Sequence, residues 1–152
     1  MLTRVEVKSF KSLFDVALDL GRVNVFVGAN GVGKSNLLEA IGVLGAAADG
    51  RVDDGALLRR GVRPGVPAIY KSSFKNEKMS PQIALGARSD EAHYAVSLRN
   101  PIDDPQEAWT YFSERLFEGD VKVVGRSPNS AERIDPARGL AALEMVEHLP
   151  GE

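Results

Sequence analysis

Residues 22–41 read RVNVFVGANGVGKSNLLEAI, and the periodicity of the chain changes in the middle of them. Residues 22–27 are rich in β-branched and aromatic side chains and nearly continuously apolar, the pattern of a strand buried on both faces. Gly28 ends that run. From Lys34 the apolar residues recur at helical spacing: Leu37, Leu38, Ile41, Leu44 and Gly45 fall on one expected face, while Asn36, Glu39 and Ala40 turn elsewhere. Between the two lies Gly28-Ala29-Asn30-Gly31-Val32-Gly33-Lys34-Ser35, which satisfies the pattern G-x-x-x-x-G-K-[ST] in full. A strand running into such a loop and a helix running out of it predict an α/β fold with a phosphate-binding (Walker A) loop.

Each fixed position has a chemical reason. Glycines let the main chain curl into a nest whose N–H groups face one anion, with no Cβ in the way. The following helix adds its positive dipole end and its unpaired first-turn N–H groups. Lys34 supplies a compact charge for the β- and γ-phosphates, and Ser35 offers a hydroxyl to Mg²⁺, which keeps most of its waters. The expected nucleotide-binding residues are therefore Gly28, Asn30, Gly31, Val32, Gly33, Lys34, Ser35 and Asn36, with ATP (or GTP) and Mg²⁺ as ligands and Ser35 as the metal ligand.

Working outward, residues 3–8 and 14–20 alternate apolar and polar, and the short connection between them predicts an antiparallel hairpin. The helix after the loop is expected to reach Ala48, where Asp49-Gly50 stops it. Residues 49–67 hold four glycines and two prolines and read mostly as loop, with room for a single helical turn around Leu57. Three antiparallel strands follow: a weak one at 68–74 and a better pair at 82–88 and 92–99, joined by Ser89-Asp90-Glu91. Residues 109–117 admit a helix capped by Asp104 with Pro105 at its first position. Their aromatics and the Glu118-Gly119-Asp120 turn into 121–124 favour a hairpin, the reading adopted here. A last helix is expected over 135–149, capped by Asp135 with Pro136 at its first position.

Composition narrows the function classes. The 152 residues suit one domain with a real core, and the formal net charge of −2 supplies no global field for nucleic acid. There is no cysteine, so disulfides, thiolate metal sites and cysteine nucleophiles are excluded together. No apolar run approaches a bilayer span, and a cytoplasmic protein without membrane partners is expected.

Residues 2–44 resemble the opening of the ATPases related to SMC proteins, RecF and the OLD nucleases, a branch of the ABC-type ATPases. The resemblance rests on the order VEVKSFKSLFDVALDL then RVNVFVGANGVGKSNLLEAI, with Asn30-Gly31 in the loop and Ser35-Asn36-Leu37-Leu38-Glu39-Ala40-Ile41 after it. A weaker match from Leu57-Leu58-Arg59-Arg60-Gly61 onward resembles AAA-type ATPases of bacterial repair and defence systems. The implied fold is the N-terminal lobe of a P-loop NTPase: a mixed sheet with the Walker A helix (1–48), a loop (49–67), an antiparallel β-subdomain (68–126) and a helix (135–149). The implied activity is ATP hydrolysis that drives DNA repair or genome defence. The implied partner is a C-terminal ATPase half or a second ATPase lobe, as a homodimer or a partner chain, with DNA contacted through the complete assembly. Lys11 stands where the family places a basic residue close to the nucleotide; the plainer reading is a surface lysine.

The family's other catalytic pieces do not occur in this sequence. No apolar run ends in Asp-Glu or Asp-Asp, so there is no Walker B strand to hold Mg²⁺ and activate water, and Leu-Ser-Gly-Gly is absent. Asp53-Asp54 and Asp103-Asp104 read as turns. Catalytic residues are therefore not expected in this chain, which should bind nucleotide weakly and hydrolyse it poorly alone. Gln82 or Gln106 would be the family's Mg²⁺-sensing glutamine, against the ordinary reading of solvated side chains. Arg59, Arg60 and Arg63 form the densest basic cluster, either a DNA-backbone contact or a solvated loop. Trp109, Tyr111 and Phe112 suit a core better than base stacking, and His93 and His148 read as ordinary surface or boundary residues. Two rival functions remain: a P-loop kinase, and a non-catalytic nucleotide-binding module.

Overall fold

The structure, a computed structural model, describes residues 1–127 and 135–143. Its strands are β1 (Leu2–Phe10), β2 (Leu13–Asp19), β3 (Gln82–Ser89), β4 (Ala92–Arg99), β5 (Thr110–Glu118) and β6 (Val121–Arg126). They form one sheet in the order β2-β1-β3-β4-β5-β6, antiparallel throughout. Helix α1 (Lys34–Ala48) lies on one face of it, and a short helix α2 (Asp54–Leu58) follows. The combination is the α/β lobe expected of a P-loop protein. The β-subdomain strands are not a separate sheet, because β1 pairs with β3 as well as with β2.

Alternation explains the core. Val7 of β1 faces Leu85 of β3, which faces Val96 of β4, while Ile83 faces Leu98 and Leu98 faces Tyr111. These rows bury against Ala40, Val43, Leu44 and Ala47 of α1. Small residues at 40 and 47 let the helix approach the sheet closely. The same inner face carries a charge: Glu114 lies opposite Val96 on one side and Arg126 on the other. Glu114 and Arg126 are 3.4 Å apart and both buried, and Glu114 also accepts from Tyr94 Oη at 2.7 Å and from the Leu140 N–H at 2.8 Å. Arg126 donates in turn to the carbonyls of Asp135 and Arg138, while its Nε has no partner among the described residues, so the buried pair is largely but not fully satisfied.

Four expectations need correction. Residues 22–27 are not a strand: they pair with nothing among the described residues, and Val23, Val25 and Val27 are 84%, 79% and 89% exposed. A β-run acquires its structure from neighbours, and all the sheet's partners here come from strands other than this one. Residues 68–74 are not a strand either. Pro67 opens a 3₁₀ turn (Pro67–Tyr70), after which Lys71 alone bridges to Phe10. On α1 the buried face is rotated from the one expected: Glu39 and Ala40 are buried while Leu38 is 59% exposed. Finally, residues 135–139 do not start a helix. The Tyr111 N–H donates to the Pro136 carbonyl at 2.7 Å and only a 3₁₀ turn (Leu140–Ala142) follows; residues 144–149 of the expected helix lie outside the described residues.

The hairpins at 82–99 and 110–126 form as expected, so the aromatics at 109–117 are in a strand. Trp109 and Tyr111 are core residues. The helical turn allowed around Leu57 is α2, and Asp53 is its cap, accepting from the Ala56 N–H at 2.8 Å.

Candidate nucleotide-binding site

The loop between residue 27 and α1 owes its shape to its glycines. Gly31 and Gly33 have φ of 86° and 99°, in the region that side chains disfavour. Gly33 is also the N-cap of α1, and a Cβ there would come within 2.9 Å of Ser12 Oγ. No side chain caps the helix and its first turn holds no acidic residue. Its leading N–H groups and dipole are thus met by no side-chain cap and no first-turn carboxylate.

Lys34 Nζ donates to the carbonyls of Gly28 and Ala29 at 2.5 and 2.6 Å, which curls the side chain back over the loop. Beneath it lies a cavity of about 140 Å³ lined by Asn30, Gly31, Gly33, Lys34, Ser35 and Asn36. Six of the eight nucleotide-binding residues expected from the motif therefore share one concave site. Gly28 shapes its rim through Lys34, and Val32 projects outward, exposed.

Two elements remote in sequence hold this site, and neither was legible from the motif. The β1–β2 turn, Lys11-Ser12, lies against the start of α1, where Ser12 Oγ accepts from Asn36 Nδ2 at 2.8 Å. Lys11 has φ of 48°, a left-handed conformation rare outside glycine, and its N–H is held by the Tyr70 carbonyl at 2.7 Å. The Lys11 ammonium pairs with Glu39 and stands 5.0 Å above the Tyr70 ring. Glu39 is only 6% exposed and has a second cation, Arg63 Nε, at 3.0 Å. Burial pushes the Glu39 carboxyl up, but the hydrogen bonds from Lys11 and Arg63 outweigh it and leave the group below the usual carboxylate value.

The remaining candidates sit elsewhere. Gln82 accepts from Ser97 Oγ, and Gln106 folds back on Asp104, so neither side chain is among the cavity's lining residues. Arg60 pairs with Asp49 and donates to the Ala56 carbonyl. His93 stacks on Phe117 at 6.0 Å, while His148 lies outside the described residues. Among the described residues no group of three or more His, Cys, Asp or Glu is placed to hold a metal. No described helix is long and apolar enough to cross a membrane.

Comparison with known proteins agrees with this geometry. Residues 1–91 match the AAA ATPase domain family. The chain is similar to the DNA replication and repair protein RecF of Clavibacter michiganensis, at 33% identity over 79% of this chain and 29% of that protein. The RecF proteins of Beutenbergia cavernae and Halothermothrix orenii are 34% and 38% identical over 82% and 88% of this chain, covering 31% and 32% of their own length. The chain thus spans about three-tenths of the length of these relatives. A complete phosphate loop ahead of a sheet-packed helix accompanies the match over residues 1–91, which shows that the chain belongs to the AAA ATPase domain family.

Proposed function

We propose that this chain is the phosphate-gripping portion of an ATP-driven protein that acts in DNA repair or genome defence. The observation that carries the reading is the cavity at the start of α1, where Gly31, Gly33, Lys34 and Ser35 line one concavity and no side chain caps the helix. The residues present fit ATP and its metal. The chain offers Mg²⁺ a single hydroxyl, Ser35, so the phosphates and waters complete its shell, as suits this cation. When bound, Mg²⁺ neutralises charge on the β- and γ-phosphates. In this reading Lys34 orients the terminal phosphates, Asn36 is fixed by Ser12, and Lys11, in the turn beside Ser12, supplies a second cation.

Hydrolysis needs a carboxylate beside the attacking water, and such groups are to come from the remainder of the protein or from a second lobe. The exposed run at 23–27 and the uncovered side of α1 support that reading, because both offer apolar surface continuous with the site. A cytoplasmic location and contact with DNA through the complete assembly belong to the same proposal. A non-catalytic nucleotide-binding module is the second reading, since this chain contributes a cradle without an identified base.

The test is direct. Titration of purified chain with fluorescent ATP and Mg²⁺ should give saturable binding, and Lys34→Ala should weaken it by about 2 kcal/mol or more, the worth of a charge-assisted contact. Equal affinity in the two proteins would end the proposal. Hydrolysis by the complete protein but not by this chain separates the motor from the passive module.

A further inference from the structure

The Lys11–Glu39–Arg63 cluster is unusual for a surface ion pair. One buried carboxylate serves two cations, and the two differ in what surrounds them. The Lys11 side chain is 16% exposed and its backbone is locked in a left-handed turn against Tyr70. The Arg63 side chain is 79% exposed and reaches Glu39 from the loop after α2. That loop is tied to the same tyrosine, whose hydroxyl donates to the Arg63 carbonyl. Glu39 stands one helical turn beyond Ser35, and Ser12, beside Lys11, already bonds Asn36 and lies where a Cβ on Gly33 would point. Lysine is a mobile point charge on a flexible stem, and it takes whichever nearby anion holds it better.

We propose that Glu39 and Arg63 are positioning residues that set how available Lys11 is to the nucleotide's phosphates. This rests on the ATP-binding reading above. Glu39 competes with phosphate for the Lys11 ammonium, while Arg63 competes with Lys11 for Glu39. When Lys11 turns to phosphate, Arg63 keeps the buried carboxylate paired, so the exchange leaves no orphaned charge, which would otherwise be costly. The fixed Lys11 main chain confines the exchange to the side chain.

The scheme predicts signs that a merely structural cluster would not produce. ATP affinity is measured with Mg²⁺ at low ionic strength on the purified chain. Lys11→Met should lose about tenfold, as for a charge-assisted contact. Glu39→Gln, which keeps the shape but removes the competing charge, should bind ATP about threefold more tightly, the scale of a partly exposed ion pair. Arg63→Met should bind about threefold more weakly, because Glu39 then holds Lys11 harder. In the Lys11→Met background both changes should fall silent, the non-additivity of groups acting through one another. A gain from Glu39→Gln that persists without Lys11 would reflect general charge and overturn the proposal. So would an Arg63→Met loss that persists, which would mean direct contact, or a folded Glu39→Gln protein with unchanged or weaker binding. If Glu39→Gln does not fold, by circular dichroism, the exposed Arg63 variants decide alone. ATP binding that is abolished by Lys34→Ala but indifferent to residues 39 and 63 refutes this proposal only; no ATP binding by the unaltered chain refutes the ATP reading and this with it.

Discussion

One side of α1 presents Ala40, Val43, Leu44 and Ala47 to the sheet and shares a core with Val7, Ile83, Leu85, Val96 and Leu98. The opposite side presents Leu38 to a broad groove that Ile41, Gly45, Arg60 and Arg63 also line, and Val23, Val25 and Val27 of the apolar run are exposed as well. Both sides carry apolar residues, yet on the second Ile41 and Gly42 find cover while Leu38 is left exposed. Hydrophobicity thus identified surfaces that seek cover, but not which of them this stretch of chain can cover from its own resources. On the covered side Ala40 and Ala47 are fully buried and permit close approach to the sheet. The uncovered side is the one continuous with the phosphate loop.

The contrast can be broken by substitutions matched across it. On the closed side, Leu98→Ala should cost about 2–5 kcal/mol in urea unfolding, the usual toll of a buried cavity. At the closed end of the helix, Gly50 has φ of 88° and an added Cβ would lie 2.6 Å from Ala142. Gly50→Ala should therefore cost about 1–3 kcal/mol, seen as a lower thermal midpoint. Glu39 gives a smaller, pH-dependent effect. Its folded pKa lies below the ordinary 4.5, so the unfolded chain binds more protons and stability rises with pH. The contribution is complete above 4.5 and is lost as pH falls through the folded value; in Glu39→Gln the acid limb of a stability–pH curve should be correspondingly shallower. Least of all, Val25→Lys on the open side should change stability by less than about 0.5 kcal/mol while lowering binding of a hydrophobic dye. A large loss there would mean that the run at 23–27 is packed after all.

Legibility follows the range of the interactions. The hairpins of β1–β2, β3–β4 and β5–β6 announce themselves by alternation and turn residues, and α1 by its period, because those signals are local. The run at 22–27 misled for the same reason: its β-propensity is local, but a strand exists only through pairing. Pro67 and Tyr70 turn 68–74 away from extended structure, and Tyr70 is used instead to anchor the Lys11 turn. The rotated face of α1 was missed because alanine and glycine register weakly in an apolar count while packing well. At the site, every motif residue was readable because the phosphate loop is one contiguous sentence of chain. Glu39 was not, since a buried carboxylate makes sense only with Lys11 and Arg63, 28 and 24 residues away.

At its last turn α1 is stitched to the protein: Tyr111 Oη donates to the Ala47 carbonyl at 2.9 Å, and the Gly139 N–H donates to the Gly50 carbonyl at 2.8 Å. Its first turn is tied to Ser12 through the Asn36 side chain, but no side chain caps its leading N–H groups. An anion seated there would serve as the missing cap, so ligand affinity and helix integrity become one quantity. Thermal resistance should then climb with the logarithm of nucleotide concentration, as mass action requires of anything that binds only the folded form. Fraying measured by amide exchange should be steepest at Lys34–Asn36 and should subside there first.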